Sequence, residues 1–254
     1  MITIKSKEEI KILREGGNIL ALVLNEVSAA AKPGITAIEL DALAEKLIRR
    51  AGGEPSFKNY KTGGDKPFPA SLCVSVNSEI VHGIPSKDKI LKEGDIAGLD
   101  LGLRHKGLYT DMAITVPVGA VSEEVRCLVE AAKKSLDAGI SAVKDGAHIG
   151  DIGFAVQQYA ELQGFSVVKK LVGHGVGYGV HEEPEIPNYG KLGTGPRLKE
   201  GMVLALEPMI NKGGDDIILS GDGWTWETKD GSLSVHFEHT VAVTKSGAEV
   251  LTMK

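Results

Sequence analysis

The sequence predicts an α+β fold in which a largely antiparallel sheet is covered by helices and the arrangement occurs twice. Three observations lead there. Short strings recur in the same order in the two parts of the 254-residue chain. Each part reads as two amphipathic helices followed by several strand-like runs, a pattern that belongs to sheets with helices on one face. Glycine is abundant, 32 residues, against a usual share of about 7%, and it follows no G-x-y period, so many tight turns are expected.

The repeat is seen most clearly in Leu91-Lys92-Glu93-Gly94 and Leu198-Lys199-Glu200-Gly201. Six positions past each final glycine stands an acid, Asp100 and then Glu207. A second acid follows in each part and heads an apolar run: Asp111 before Met112-Ala113-Ile114, and Glu238 before His239-Thr240-Val241. A third echo lies upstream, Lys32-Pro33-Gly34 and Lys144-Asp145-Gly146. Two related halves, approximately 1–118 and 119–254, packed into one catalytic domain spanning 1–254, account for this order. The acids of both halves are then expected to meet at the interface, where binding sites tend to lie.

Taken in order, Ser6-x-x-Glu9 forms a capping box and starts a helix with Ile10, Leu13, Gly17, Leu20, Leu24 and Val27 facing inward. Thr36-x-x-Glu39 starts a second, with Leu40, Leu43 and Leu47 on one face and Gly52-Gly53 ending it. Ser122 opens a third, with Val125, Leu128, Ala132, Leu136, Ile140 and Val143 recurring at helical spacing. A fourth is expected from Asp151 to Gln163, ended by Gly164. Strands are expected at Leu72–Val76, Ile96–Leu103, Asp111–Val116, Met202–Leu206, Ile217–Leu219, Leu233–Val235 and Thr240–Val243.

Several function classes are excluded early. The net charge is −5, with 29 basic and 34 acidic residues and no basic stripe, so nucleic acid is not the expected substrate. No apolar run approaches the length needed to span a membrane. The N-terminus lacks a signal-peptide core. Two cysteines, Cys73 and Cys127, imply neither a disulfide framework nor a structural zinc site, so a cytoplasmic location is expected. There is no G-x-S-x-G elbow and no P-loop. Cys73, in an apolar run, reads as a buried small hydrophobe rather than a thiol nucleophile.

The acids carry the chemistry. If His105-Lys106 forms a two-residue hairpin loop, Asp100 comes to lie directly opposite Asp111 on one sheet face. Their apolar neighbours bury the pair, and two like charges so placed need a shared proton or a cation. Glu207 follows the apolar run Met202–Leu206, where an acid is either paired or a ligand. Glu238 is the fourth member. His174 is the expected nitrogen ligand; with His181 it frames a strand of alternating glycines, Gly173 to Gly179, whose bare backbone lets another group approach closely. That string is G-x-G-x-G-x-G, without the strand–turn–helix context of a dinucleotide site. Four carboxylates and one imidazole exceed what one ion needs and suit two ions sharing carboxylates around an activated water, which is hydrolase chemistry. The donor set fits Mn, Fe, Co or Zn and does not choose among them. His236 reads as an exposed strand histidine.

In these residues the chain resembles the type I methionine aminopeptidases. Asp100, Asp111, His174, Glu207 and Glu238 stand in the order of that family's metal ligands. The surrounding strings match as well: Val81-His82-Gly83-Ile84-Pro85, Gly173 to Pro184, Glu207-Pro208-Met209 and Glu238-His239-Thr240. The resemblance covers nearly the whole chain, and the short separation of Glu207 and Glu238 is that of type I. It implies the duplicated "pita-bread" α+β fold and removal of the initiator methionine from nascent chains with a small second residue. The attacking group would be a water or hydroxide bridging two divalent ions. Asp100 and Glu238 would help hold both ions, Asp111 would complete one site, and His174 with Glu207 the other. Glu207 would also act as base, His181 would stabilise the tetrahedral intermediate, and His82 would contact the scissile amide. Cys73, Trp224 and Tyr60, with Phe57 beside them, would line the methionine pocket. The resemblance further implies a monomer working near the ribosome. Three features depart from the family pattern: Val180 is smaller than the residue common there, Gly102 replaces a frequent Thr or Ser, and the 62–67 loop is long.

Overall fold

The computed structural model of the chain describes residues 1–61 and 66–253. The expected helices form, and their caps explain where they start. Helix α1 (Lys7–Ala30) and helix α2 (Ala37–Arg50) each open on a closed capping box. In α1, Glu9 N–H donates to Ser6 Oγ (3.2 Å) while Ser6 N–H donates to Glu9 Oε2 (2.7 Å). Leu13, Gly17, Leu20, Leu24 and Val27 are buried as expected. In α2 the buried stripe runs through Leu40, Ala44 and Ile48, with Leu43 and Leu47 on its flank. Asp41 is also buried there. Its Oδ1 accepts from Ser71 N–H and Leu72 N–H (2.8 and 2.9 Å), which ties α2 to the strand carrying Cys73.

Helix α3 (Glu123–Ala142) is capped by Ser122. Helix α4 (Ile149–Leu162) begins two residues before the expected Asp151. Asp151 does not start the helix; its carboxylate reaches back one turn to accept from His148 N–H (2.8 Å).

All named strand pairings are antiparallel. A four-stranded sheet joins Ile96–His105 to Leu108–Pro117 on one side and to Leu72–Val76 and Glu54–Pro55 on the other. Helices α1 and α2 cover it, and one apolar core lies between. A five-stranded sheet runs in the order Ala248–Val250, His239–Val243, Val203–Leu206, Val172–Gly175, Glu182–Pro187. Residues of α3 and the start of α4 pack against it through Leu136, Ile149 and Ile152. Two three-stranded sheets complete the body. One joins Ser234–His236, Met209–Asn211 and Ser166–Val167; the other joins Ile217–Leu219, Trp226–Thr228 and Glu79–Val81. No helix among the described residues is long and apolar enough to cross a membrane.

The hairpin that carries Asp100 and Asp111 differs from expectation in register. His105 pairs with Leu108, so the loop is Lys106-Gly107, not His105-Lys106. Both loop residues have positive φ (47° and 88°), the geometry whose twist matches a two-residue hairpin. Asp111 therefore faces Gly102, and Asp100 faces Ala113. The slip is two residues, so both acids stay on one face and become diagonal neighbours.

Two threonines stitch the first-half strand Leu108–Pro117 to the segment 236–240. Asp111 N–H donates to Thr240 Oγ1 (2.9 Å) and Thr240 O–H donates to the Asp111 carbonyl (2.8 Å). In the reverse direction, His236 N–H donates to Thr115 Oγ1 (3.0 Å) and Thr115 O–H donates to the His236 carbonyl (2.8 Å). Each buried hydroxyl thus satisfies both backbone groups of one residue across the junction. Thr240→Val strands the Asp111 N–H and carbonyl. At about 1–3 kcal/mol for each buried group left unpaired, the variant is expected to lose about 2–4 kcal/mol in chemical denaturation, while Thr240→Ser stays near the parent.

Candidate metal centre and substrate pocket

The acids converge because strands from both parts of the chain end at one place. Asp100 and Asp111 come from the four-stranded sheet. His174 lies in the five-stranded sheet opposite Ala205, and Glu207 follows the strand Val203–Leu206. Glu238 lies between two strands, its N–H donating to the Ala113 carbonyl (2.8 Å). Asp111, His174 and Glu238 offer ligand atoms within 4.8 Å of one another. Glu207 Oε1 is 3.4 Å from His174 Nε2, and Asp100 and Asp111 are diagonal neighbours on one sheet face.

Burial dominates the electrostatics. It raises Asp111 to a pKa of about 8, helped by the neighbouring Glu207 charge, and raises Glu207 to about 8. Asp100 and Glu238 are pushed well above the usual carboxylate range, first by burial and then by the other acids. The same burial lowers His174 to about 3 and His82 and His181 to about 4, so all three are neutral near pH 7. No Lys or Arg is among the described residues lining this cavity. Asp100 Oδ1 and Glu238 Oε1 are buried without a hydrogen-bond partner. Four carboxylates, two of them with an unpartnered buried oxygen, and no cationic side chain form a donor set that fits a divalent ion. His174 is prepared as a ligand: its Nδ1 hydrogen-bonds the Gly175 carbonyl (2.9 Å), which places the proton there and leaves the Nε2 lone pair toward the acids.

The glycine-rich string does not run as one strand. The strand ends at Gly175, and 176–181 turn back, bringing the His181 ring within 4.4 Å of the His174 ring. The bare backbone admits neighbouring strands: a Cβ on Gly175 would lie 2.2 Å from the Glu183 carbonyl oxygen, and one on Gly173 2.5 Å from that of Ala205. A buried ion pair with no signal in the sequence holds this turn. Lys5 Nζ lies 2.8 Å from Glu182 Oε2, and Glu182 Oε1 accepts from Gly179 N–H (2.9 Å) and Tyr178 N–H.

Beside the acids lies a cavity walled by Phe57, Tyr60, Phe68, Cys73 and Trp224, with His82, His174 and His181 at its mouth. Tyr60 Oη is 2.6 Å from His181 Nδ1. Phe68 and Trp224 meet edge to face at 5.3 Å. Phe68 was missed from the sequence, although a lone aromatic in a Pro-rich loop was the signal for it. Cys73 is buried, as a small hydrophobe should be, and also forms part of this wall, next to Asp100 across the strand pair. His82 sits at φ 59°, held by Gly83, whose Cβ would strike the Val74 carbonyl at 2.2 Å. Val180 packs with Phe57 and Phe68 in the same wall. Of the long 62–67 loop, residues 62–65 lie outside the described residues.

His236 is not exposed. It is 3% exposed, and its ring Nε2 is 3.5 Å from Glu207 Oε2. The expectation of an exposed strand histidine fails because Ser234–His236 is buried on both faces.

The model of metallopeptidase family M24 matches residues 11–245. The chain belongs to metallopeptidase family M24. This M24 chain is 46% identical to methionine aminopeptidase 1 of Bacillus subtilis, over 99% of each chain. It superposes on the crystal structure of methionine aminopeptidase from Thermotoga maritima with a TM-score of 0.96 at 42% identity, each chain fully covered. Against the Xaa-Pro dipeptidase from Bacillus anthracis the TM-score is 0.78 at 23% identity, over 99% of this chain and 62% of that one, a likeness of fold alone. The fold is the α+β pita-bread arrangement. Membership of a metallopeptidase family agrees with the donor set and implies divalent metal.

Two outcomes follow. Above pH 7 the histidines are neutral in both folded and unfolded chains, so the acids alone set the slope. Their folded pKa values are raised, so their contribution is present at low pH and lost as pH rises through about 8. The melting temperature of the metal-free protein should fall from pH 7 to 9, and added divalent metal should flatten that fall. Separately, a Cβ on Gly102 would lie 2.0 Å from Ser56 Oγ and 2.7 Å from the Phe57 ring. Gly102→Ala should therefore cost about 1–3 kcal/mol, and Ser56→Gly in the same chain should recover part of it in thermal unfolding.

Proposed function

We propose that this chain is a methionine aminopeptidase that uses two divalent ions, of the Mn, Fe, Co or Zn type, to remove the first residue from chains that begin with Met and a small second residue. The observation that carries this reading is the apolar, aromatic-walled cavity opening directly onto the acid–histidine cluster. Such a wall fits an unbranched thioether side chain, and the cluster beside it fits hydrolysis at the adjacent carbonyl. We also read 1–254 as one catalytic domain of two duplicated halves, acting as a monomer in the cytoplasm on N-termini emerging near the ribosome.

In this reading Asp100, Asp111, His174, Glu207 and Glu238 hold the metal, with Asp100 and Glu238 shared between two sites. When bound, divalent ions polarise a carbonyl and lower the pKa of a water. Glu207 accepts the proton from the attacking water and passes it toward the leaving amine. The Tyr60 hydroxyl, 2.6 Å from His181 Nδ1, donates there and so places the ring proton on Nε2. That N–H can donate to the carbonyl oxygen as negative charge develops, and it needs no reorientation to do so. His82 stands at the same mouth, neutral, to contact the scissile amide. Cys73, Tyr60, Phe57, Phe68 and Trp224 exclude water from around the methionine side chain.

The test is release of free methionine from Met-Ala-Ser, with Leu-Ala-Ser and Ala-Pro-Ser alongside, after the metal-free protein is reloaded anaerobically with each ion. Metal-dependent release from the Met peptide alone is expected. Turnover of only Ala-Pro-Ser would assign the chain to proline-specific chemistry, and turnover of none would overturn a catalytic reading. Asp100→Asn and Glu207→Gln should each lower bound metal, read by elemental analysis; unchanged content would refute the ligand assignment.

A further inference from the structure

The Glu207 carboxylate has a second imidazole behind it. Its Oε1 lies 3.4 Å from His174 Nε2, and its Oε2 lies 3.5 Å from His236 Nε2. Each ring nitrogen thus lies near a different oxygen of the carboxylate. His236 Nε2 is buried and has no hydrogen-bond partner. A ring nitrogen left unpaired in an interior is costly, and Glu207 Oε2 is the acceptor within reach.

The backbone of His236 cannot drift. Its N–H and carbonyl are both held by Thr115 Oγ1 of the opposing half (3.0 and 2.8 Å). On the other side His236 pairs with Met209 in the strand register, two residues beyond Glu207. The ring is therefore delivered to the back of Glu207 by a strand anchored on both sides.

We propose that His236 is a positioning residue for Glu207: its Nε2–H donates to Glu207 Oε2 and holds the carboxylate with Oε1 turned toward His174 and the other acids. His236 itself touches neither substrate nor metal. A carboxylate held from behind by an N–H cannot rotate away when its proton is displaced by a cation. Partners of this kind around metal ligands are typically worth about 10–100-fold in affinity. A neutral donor suits the role, because it orients the carboxylate without competing as a cation for its charge.

The proposal rests on the ligand reading of Glu207, and the experiment separates the two. Co(II) is titrated anaerobically into the metal-free full-length protein, with heat and the visible absorption of the bound ion as readouts, so no peptide cleavage is needed. The variants are His236→Leu, which removes the donor, and His236→Gln, whose amide N–H restores one. Circular dichroism of each metal-free variant shows that the fold is retained. His236→Leu is expected to bind Co(II) about 10–100-fold more weakly, with an altered visible spectrum, while His236→Gln stays within about threefold. Co(II) affinity unchanged in His236→Leu would overturn the proposal, as would an equal loss in both variants. A parent chain that binds Co(II) with this dependence on residue 236 but releases no methionine would refute the proposed function and leave the role of His236 standing.

Discussion

The centre of this protein is organised by a charge problem that the polypeptide does not solve on its own. Asp100, Asp111 and Glu238 are buried at one junction with the largely enclosed Glu207, and no lysine or arginine is among the described residues lining the adjoining cavity. The buried Lys5 is already engaged by Glu182. The histidines are of no help as counter-ions, since burial holds them neutral near pH 7. The metal-free protein must therefore retain protons on its acids, since burial raises Asp100 and Asp111 well above the usual carboxylate range. A divalent ion exchanges for those protons, so binding metal and releasing protons are one event. Apolar walls, which make the acids expensive, also make them strong ligands and keep water away from the chemistry.

Holding four mutually repelling groups in register requires stiffness, and the fold provides it through the backbone. The acids sit in or next to strands whose positions are fixed by ladder hydrogen bonds. At the junction of the two parts, Thr115 and Thr240 each satisfy both backbone groups of one residue on the far side. The exchange is reciprocal: one part grips Asp111, the other grips His236. Neither part then presents a complete site alone. The turn carrying His181 lacks a ladder, and there the Lys5–Glu182 pair takes over, fastening 178–182 to the N-terminal segment.

Much of this was legible in the sequence, and the exceptions have physical causes. Capping boxes located α1 and α2 because Ser/Thr and Glu three apart satisfy each other locally, without tertiary help. The hairpin register was misjudged because the count began from His105-Lys106, whereas a residue followed by glycine is the pair that accepts two positive φ values, and Lys106-Gly107 is that pair. The error left the acids on one face only because a two-residue slip preserves side-chain alternation. His236 was misread for a different reason. Alternation marks a strand with one wet face, and a strand enclosed on both sides shows none of that contrast. The Lys5–Glu182 pair joins residues 177 apart in the chain, so nothing local could announce it.

Gly102 shows how the volume beside the pocket wall can be filled from either side. The residue faces Asp111 across the hairpin, and it has no side chain to fill the space between the strand and the pocket wall. Ser56 and Phe57 fill it instead, the Ser56 hydroxyl lying where a Cβ on Gly102 would stand. The Ser56 N–H donates to the Gly102 carbonyl (3.1 Å), so the intruding segment is bonded to the strand it covers. The Ser56 hydroxyl, just past a two-residue strand, thus takes from the neighbouring segment the space that a side chain at 102 would fill. A carboxylate carried within a ladder, as Asp100 and Asp111 are, cannot be traded in this way without moving. Pocket walls built from loop side chains can be, because one volume can be filled from either side. The backing thus differs, with ladder hydrogen bonds behind Asp100 and Asp111 and side chains behind the pocket wall.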